Sequence, residues 1–246
     1  MKFRSAIVAA ISSLSIIACS GAEEGGSSAS NIDVDYVAGD VLLGSPDAPV
    51  KIIEYASTTC GHCRTFHKTI LPRIKENYVD TGQVSIVFRD LPTPPAPVSA
   101  AGGALARCSG EDEYYATLDD LFTNQYEIIE AARTGGAIGE LEKIGARHGL
   151  SKEEVRACIM SSKVMDEIGR TSDLATADNV NSTPQLIVNG ENAGEALRTY
   201  ETLAAFLDEK LGIEPEAEPA EIESAEPAVE ATDTEEAEIG STEAAE

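Results

Sequence analysis

The sequence predicts an α/β fold with a helical block set inside it. Three observations carry this. A β-prone run, Val50–Ala56, is followed by an amphipathic helix and a second apolar run, Val84–Arg89, which together make a β-α-β unit. Residues 97–180 then show helical periodicity. A short strand at Gln185–Val188, an Asn189-Gly190 turn and a closing helix complete the chain's ordered part.

Each element has a local reason. Gly44, Ser45, Pro46, Asp47 and Pro49 supply turn residues ahead of Val50, and the run that follows reads as a buried strand. From Cys63 to Tyr78, Phe66, Ile70, Leu71 and Ile74 recur at helical spacing. Pro72 predicts a kink there, since it lacks an N–H and its ring meets the preceding turn. Asp80-Thr81-Gly82 ends that helix. After the proline-rich link Pro92–Pro97, Ala101, Ala104, Leu105 and Cys108 share one helix face. Tyr114 to Ile129, including Tyr126, reads as a second helix, and Ile138, Leu141 and Ile144 mark a third. Ser151-Lys152-Glu153-Glu154 is a capping box opening a fourth, which turns Val155, Cys158 and Ile159 inward. A fifth covers Val164–Ala177. Asn192–Leu197 is expected to pair with Gln185–Val188 as a hairpin, and Tyr200–Leu211 is the closing helix.

The two ends differ from this body. Lys2 and Arg4 precede an apolar run, Ala6–Ala18, that is shorter than the roughly 20 residues a membrane-spanning helix needs. Residues 1–18 therefore read as a signal peptide. Ile16-Ile17-Ala18-Cys19 resembles the bacterial lipobox, which implies lipidation of Cys19 and a membrane anchor, with Ser20 pointing to the outer membrane. The other reading is an ordinary signal peptide cut near Ala18 or Ala22, leaving a soluble periplasmic protein. Residues 19–33 make a flexible Gly/Ser/Glu-rich tether. Residues 34–213 form one domain. Residues 214–246 hold 13 acidic residues, no Lys or Arg and no aromatic, and so are expected to be disordered. A formal net charge of −25 excludes nucleic-acid binding, which needs basic patches.

Of five cysteines, Cys19 is set aside for lipid. An exported chain meets an oxidising compartment, where an even remainder suits two pairs. Cys60 and Cys63 form a C-x-x-C, leaving Cys108 and Cys158 for a structural disulfide. Two buried free thiols are the alternative for that second pair. Cys60 falls where a helix begins, so unsatisfied N–H groups and the helix dipole favour its thiolate. Cys60 is thus the expected attacking thiol, and Cys63, one turn in, the resolving thiol. His62 between them can add positive charge or a hydrogen bond. A zinc site usually takes four ligands. Only one such pair is present, and even with His67 counted no metal is expected, nor any cofactor. Glu54 lies in an apolar strand, where an acid calls for a hydrogen-bonding partner unless it faces solvent. His148 reads as structural.

The stretch from Val50 through Cys60-Gly61-His62-Cys63 to Phe66-His67 and Pro72, with Asn181-Ser182-Thr183-Pro184-Gln185-Leu186-Ile187-Val188-Asn189-Gly190, closely resembles the DsbA-like branch of the thioredoxin superfamily. The resemblance covers about residues 40–211. It implies a thioredoxin fold with an inserted helical subdomain. It further implies a cis Thr183-Pro184 bond beside the C-x-x-C, where the backbone offers an edge to a substrate peptide, and a proton-transfer role for Glu54. The implied activity is thiol–disulfide exchange, donating disulfides to exported proteins. The implied partners are reduced or misoxidised exported proteins and a membrane redox partner that resets the cysteines. Gly61-His62 departs from the Pro-His of the strongest oxidases and matches the protein disulfide isomerases, as does Thr183. A reductase or isomerase reading therefore stands beside the favoured oxidase; a non-enzymatic scaffold is the third reading, and the intact C-x-x-C argues against it. The tether leaves no room for a dimerisation domain, so a monomer is expected.

Overall fold

The computed structural model describes residues 36–214. The leader, the whole tether with Cys19, and the acidic tail beyond Glu214 lie outside the described residues.

Among the described residues, five strands form one sheet in the order β1-β3-β2-β4-β5. They are β1 (Leu42–Leu43), β2 (Val50–Ala56), β3 (Val84–Asp90), β4 (Gln185–Val188) and β5 (Glu191–Asn192). Among the described residues only β2 and β3 run parallel, with Val50 opposite Val84 and Ala56 opposite Asp90. The other neighbours are antiparallel. The central strands are covered on both faces, so they read as continuous apolar runs in the sequence. β1 is two residues long and carries no periodic signal.

The parallel pair is joined by an irregular helical crossover. It comprises α1 (Gly61–Thr65), a π-helical turn (Phe66–Ile70), α2 (Leu71–Ile74) and a second π-helical turn (Lys75–Val79). The helix begins at Gly61 with Cys60 as its N-cap, at the helix start expected for Cys60. Its first irregularity ends at Ile70, just ahead of Pro72, whose missing N–H and bulky ring the widened turn accommodates. Phe66, Ile70 and Ile74 pack on Ile52, Ile86 and Val188 from this helix's side.

Between β3 and β4 come six α-helices and a 3₁₀ turn, Glu111–Glu113. The α-helices are α3 (Ala96–Cys108), α4 (Tyr114–Thr123), α5 (Gln125–Ala132), α6 (Ala137–Arg147), α7 (Lys152–Ile159) and α8 (Ser162–Ala177). Their core joins Phe88 and Cys63 to Leu105, Leu118, Phe122 and Ile144. The capping box at Ser151 and Glu154 forms as its residues dictate.

Three expectations are corrected. The run Tyr114–Ile129 is two helices, because Asn124 leaves the helical conformation and its side chain donates to the Asp120 carbonyl at 2.7 Å. The break turns Gln125 and Ile128 inward and leaves Tyr126 exposed. Ile138, in the first turn of α6, is likewise exposed, and Ile159 is only half-buried. The hairpin partner of β4 stops at Asn192. The Asn192 side chain accepts the Gly194 N–H at 2.9 Å, and a 3₁₀ turn, Gly194–Arg198, replaces the rest. Then α9 (Tyr200–Leu211) closes the fold, capped by Thr199 and ended by Gly212 at φ 69°.

Candidate active site

The loop Ser57–Thr59 leaves β2 and is tied down before the first cysteine. The Ser57 hydroxyl meets Ser99 Oγ at 2.7 Å and Thr93 Oγ1 at 2.9 Å, and accepts the Thr93 N–H at 3.2 Å. From the helical block, Gln125 Nε2 donates to the Thr58 and Cys60 carbonyls at 2.9 and 3.0 Å. Sequence reasoning misses Gln125, since a polar residue within an amphipathic run carries no signal.

Cys60 is the N-cap of α1, in extended conformation, which sets its sulfur beside the N–H groups of the first turn. Its thiol is pulled down to about 5. The hydrogen bond from the Cys63 thiol contributes most, and the Thr183 side chain and the backbone N–H groups of Cys63 and His62 add to it; together they outweigh partial burial. Cys63, one turn in, is fully buried and meets the Ser57 N–H at 3.5 Å. Burial first, then the hydrogen bond to Cys60 and the charges of Cys60 and Glu54, push its thiol far up. Both cysteines are free thiols. One sulfur is thus reactive and reachable and the other protonated and enclosed.

The Thr183-Pro184 bond is cis, and the Thr183 carbonyl lies 3.4 Å from Cys60 Sγ. Beside it runs an open groove of about 630 Å³, lined by His62, Phe66, Ile70, Pro184 and Leu197 among others. His62 is exposed on its rim.

Glu54 is fully buried rather than facing solvent, and both its oxygens lie 3.1 Å from His67 Nε2. Burial pushes the His67 imidazole down, but Glu54 and Asp119 overcome this and hold it up at about 9. One hint of this pair stands in the sequence: His67 is four residues after Cys63 and so shares its helix face.

The remaining candidates lie elsewhere. Cys108 and Cys158 are joined, linking α3 to α7 with Cα atoms 6.2 Å apart. His148 bridges Glu113 and Asp120 at 2.9 and 3.0 Å. Among the described residues, no group of three or more His, Cys, Asp or Glu is arranged to hold a metal ion.

A thioredoxin-type sheet, a helical insertion between β3 and β4 and a C-x-x-C facing a cis-proline define a dithiol protein of the thioredoxin class. The thioredoxin family model matches residues 37–209. The chain belongs to that family and, within it, to the DsbA-like proteins. It is 31% identical over 173 residues to a Rickettsia conorii protein named "Putative protein-disulfide oxidoreductase", covering 70% of this chain and 60% of that one. The chain therefore spans less than two thirds of that relative's length. Disulfide bond formation protein D of Bacillus subtilis is 25% identical over 160 residues, covering 62% of this chain and 69% of the relative. Among solved structures, Wolbachia pipientis alpha-DsbA1 superposes with a TM-score of 0.66 at 27% identity, covering 74% of this chain and 96% of that one.

Proposed function

We propose that the chain is a thiol–disulfide oxidoreductase that donates disulfides to exported proteins through Cys60 and Cys63. The observation that carries this is the contrast between the two thiols: Cys60 at the N-cap of α1, half-buried and pulled down to about 5, and Cys63 one turn in, enclosed and pushed up. A substrate thiolate attacks the Cys60 sulfur of the Cys60–Cys63 disulfide, and Cys63 leaves. A second substrate thiol then displaces Cys60, which departs readily because its thiolate is stabilised. The same stabilisation favours the reduced form and so makes the disulfide oxidising. Thr183 and Pro184 offer backbone to the substrate segment, and His62 borders the groove that receives it. Glu54 handles the proton at Cys63. The Cys108–Cys158 bond is structural.

The partners on this reading are reduced or misoxidised exported proteins and a membrane redox protein that reoxidises the dithiol. The protein acts as a monomer. It is periplasmic, anchored through lipidated Cys19, with residues 1–18 removed and residues 214–246 a solvated acidic tail. The basic start, short apolar run and lipobox-like Ile16–Cys19 support the anchor.

A reductase or isomerase direction is the second reading, favoured by Gly61-His62 and Thr183. The equilibrium of Cys60–Cys63 against glutathione separates them. An oxidising value is expected; a strongly reducing one overturns the donor assignment. Cys60→Ser should abolish disulfide transfer to a reduced peptide, and retained transfer would sink the mechanism itself.

A further inference from the structure

A polar chain runs from beneath the dithiol to the surface. Glu54 on β2 is fully buried, with both oxygens on His67 Nε2. The imidazole is buried too, stacked on Phe122 with centroids 4.1 Å apart and edge-on to Phe66 and Phe88. Its other nitrogen, Nδ1, is enclosed and has no hydrogen-bond partner. Buried polar atoms are seldom left unpaired without a reason. This one faces Asp119 Oδ1 on α4 at 3.9 Å, and the Asp119 side chain is 64% exposed.

We infer that His67 is a positioning residue for Cys63, passing charge and protons between the enclosed Glu54 carboxylate and the solvent-facing Asp119. This rests on the dithiol reading above.

The argument is one of buried charge, which is costly unless compensated. With Cys63 a thiol, Glu54 an anion and His67 a cation, the enclosed set is neutral. During reoxidation, Cys63 attacks the disulfide that joins Cys60 to the redox partner. The Cys60–Cys63 bond forms, the Cys60–partner bond breaks, and the electron pair leaves with the partner's thiolate. The Cys63 proton passes to Glu54. Neutral Glu54 would leave His67 an uncompensated cation, so Nδ1 releases its proton to Asp119 and water, and the enclosed set is neutral again. One proton leaves for each Cys63 thiol consumed. When a substrate thiolate opens the disulfide, the flow reverses: Cys63 departs as a thiolate, Glu54 returns its proton, and His67 regains one from the surface.

The other groups around this chain do not compete for the role. Tyr114 and Tyr115 on α4 sense the Glu54 charge, and burial pushes both phenols up. Lys68, next to His67, turns outward to Thr123 Oγ1 at 2.9 Å.

Rapid mixing of the reduced full chain with oxidised glutathione separates two steps. Cys60 first forms a mixed disulfide, and Cys63 then expels glutathione. Asp119→Asn and His67→Lys are compared with the native chain across neutral pH, in water and in deuterium oxide. His67→Lys keeps a cation by Glu54 but has no second ring nitrogen to pass a proton on. We expect mixed-disulfide formation to be unchanged and expulsion to slow about tenfold or more in both variants, with a larger solvent isotope effect. Native expulsion rates in Asp119→Asn at every pH would overturn the relay, as would native rates in a His67→Lys variant that has merely lost thermal stability. Failure of the native chain to form a mixed disulfide at all would instead sink the dithiol reading, so the two failures are distinct.

Discussion

Cys60 Sγ and the Thr183 carbonyl oxygen are 3.4 Å apart, although 123 residues separate them. The antiparallel pairing of β2 with β4, Tyr55 opposite Gln185, brings the two loops to the same end of the sheet. A reactive sulfur and the cis Thr183-Pro184 backbone thus meet at one point, as the proposed exchange with an extended peptide requires.

The electrostatics of Cys60 give a direct test. In the reduced protein, the ultraviolet thiolate signal should titrate with a midpoint near 5. Cys63→Ala should raise that midpoint more than Thr183→Val, because the Cys63 hydrogen bond is the largest lowering influence and the Thr183 side chain a lesser one. The sign follows for stability. A depressed thiol stabilises the reduced fold fully above the ordinary thiol range and progressively less as pH falls through about 5. A midpoint near about 8.5, as for an ordinary cysteine, would remove the electrostatic basis of the proposal.

Gln125 locks the helical block to the active-site loop through two buried carbonyls. Gln125→Ala strands both, and should cost about 1–3 kcal/mol in denaturant unfolding. Tyr126→Ala, one residue on but exposed, should change stability by about 0.5 kcal/mol or less. Equal effects from the two would mean the loop is not held by Gln125.

Two glycines give opposite expectations. A Cβ on Gly103 would collide with the Asp90 carboxylate, which forms a buried ion pair with Arg107 at 2.7 Å. Gly103→Ala should destabilise by about 3–5 kcal/mol, the cost of disrupting such a pair. Gly169 lies exposed inside α8 with nothing within 4 Å of an added methyl, and Gly169→Ala should stabilise by about 0.5–1 kcal/mol. Thermal melts of the two variants check both signs at once.

What can be read in advance follows from how local each feature is. Val50–Ala56 and the Ser151–Glu154 cap are written in adjacent residues, and the structure forms them where the sequence says. The C-x-x-C and Thr183-Pro184 are short motifs, so their meeting is legible through resemblance. Gln125 reaches its two carbonyls only because α5 packs beside the active-site loop, and the Glu54–His67 pair needs the crossover helix laid against β2; neither contact is encoded by adjacent residues. The break at Asn124 escapes sequence reading because apolar residues recur at near-helical spacing across it; a single side-chain bond to Asp120 decides the matter. Leu42–Leu43 and Asn192 show the same limit for strands: two residues hold too little pattern to reveal an edge or its end.

The Glu54–His67 pair also predicts a pH dependence of folding for the reduced protein. His67 is held at about 9, against an ordinary imidazole at 6.5. A raised pKa contributes stability that is complete below the ordinary value and lost as pH rises through the folded one. Native stability should therefore fall between pH 6.5 and about 9 by more than that of His67→Gln, which cannot titrate there. Groups remote from His67 titrate alike in both chains, so the difference between the two curves reports His67 and the groups it touches. Denaturant midpoints at a series of pH values give those curves. Parallel curves would mean that His67 is neutral in the folded protein, and Glu54 would then lack its buried cationic partner.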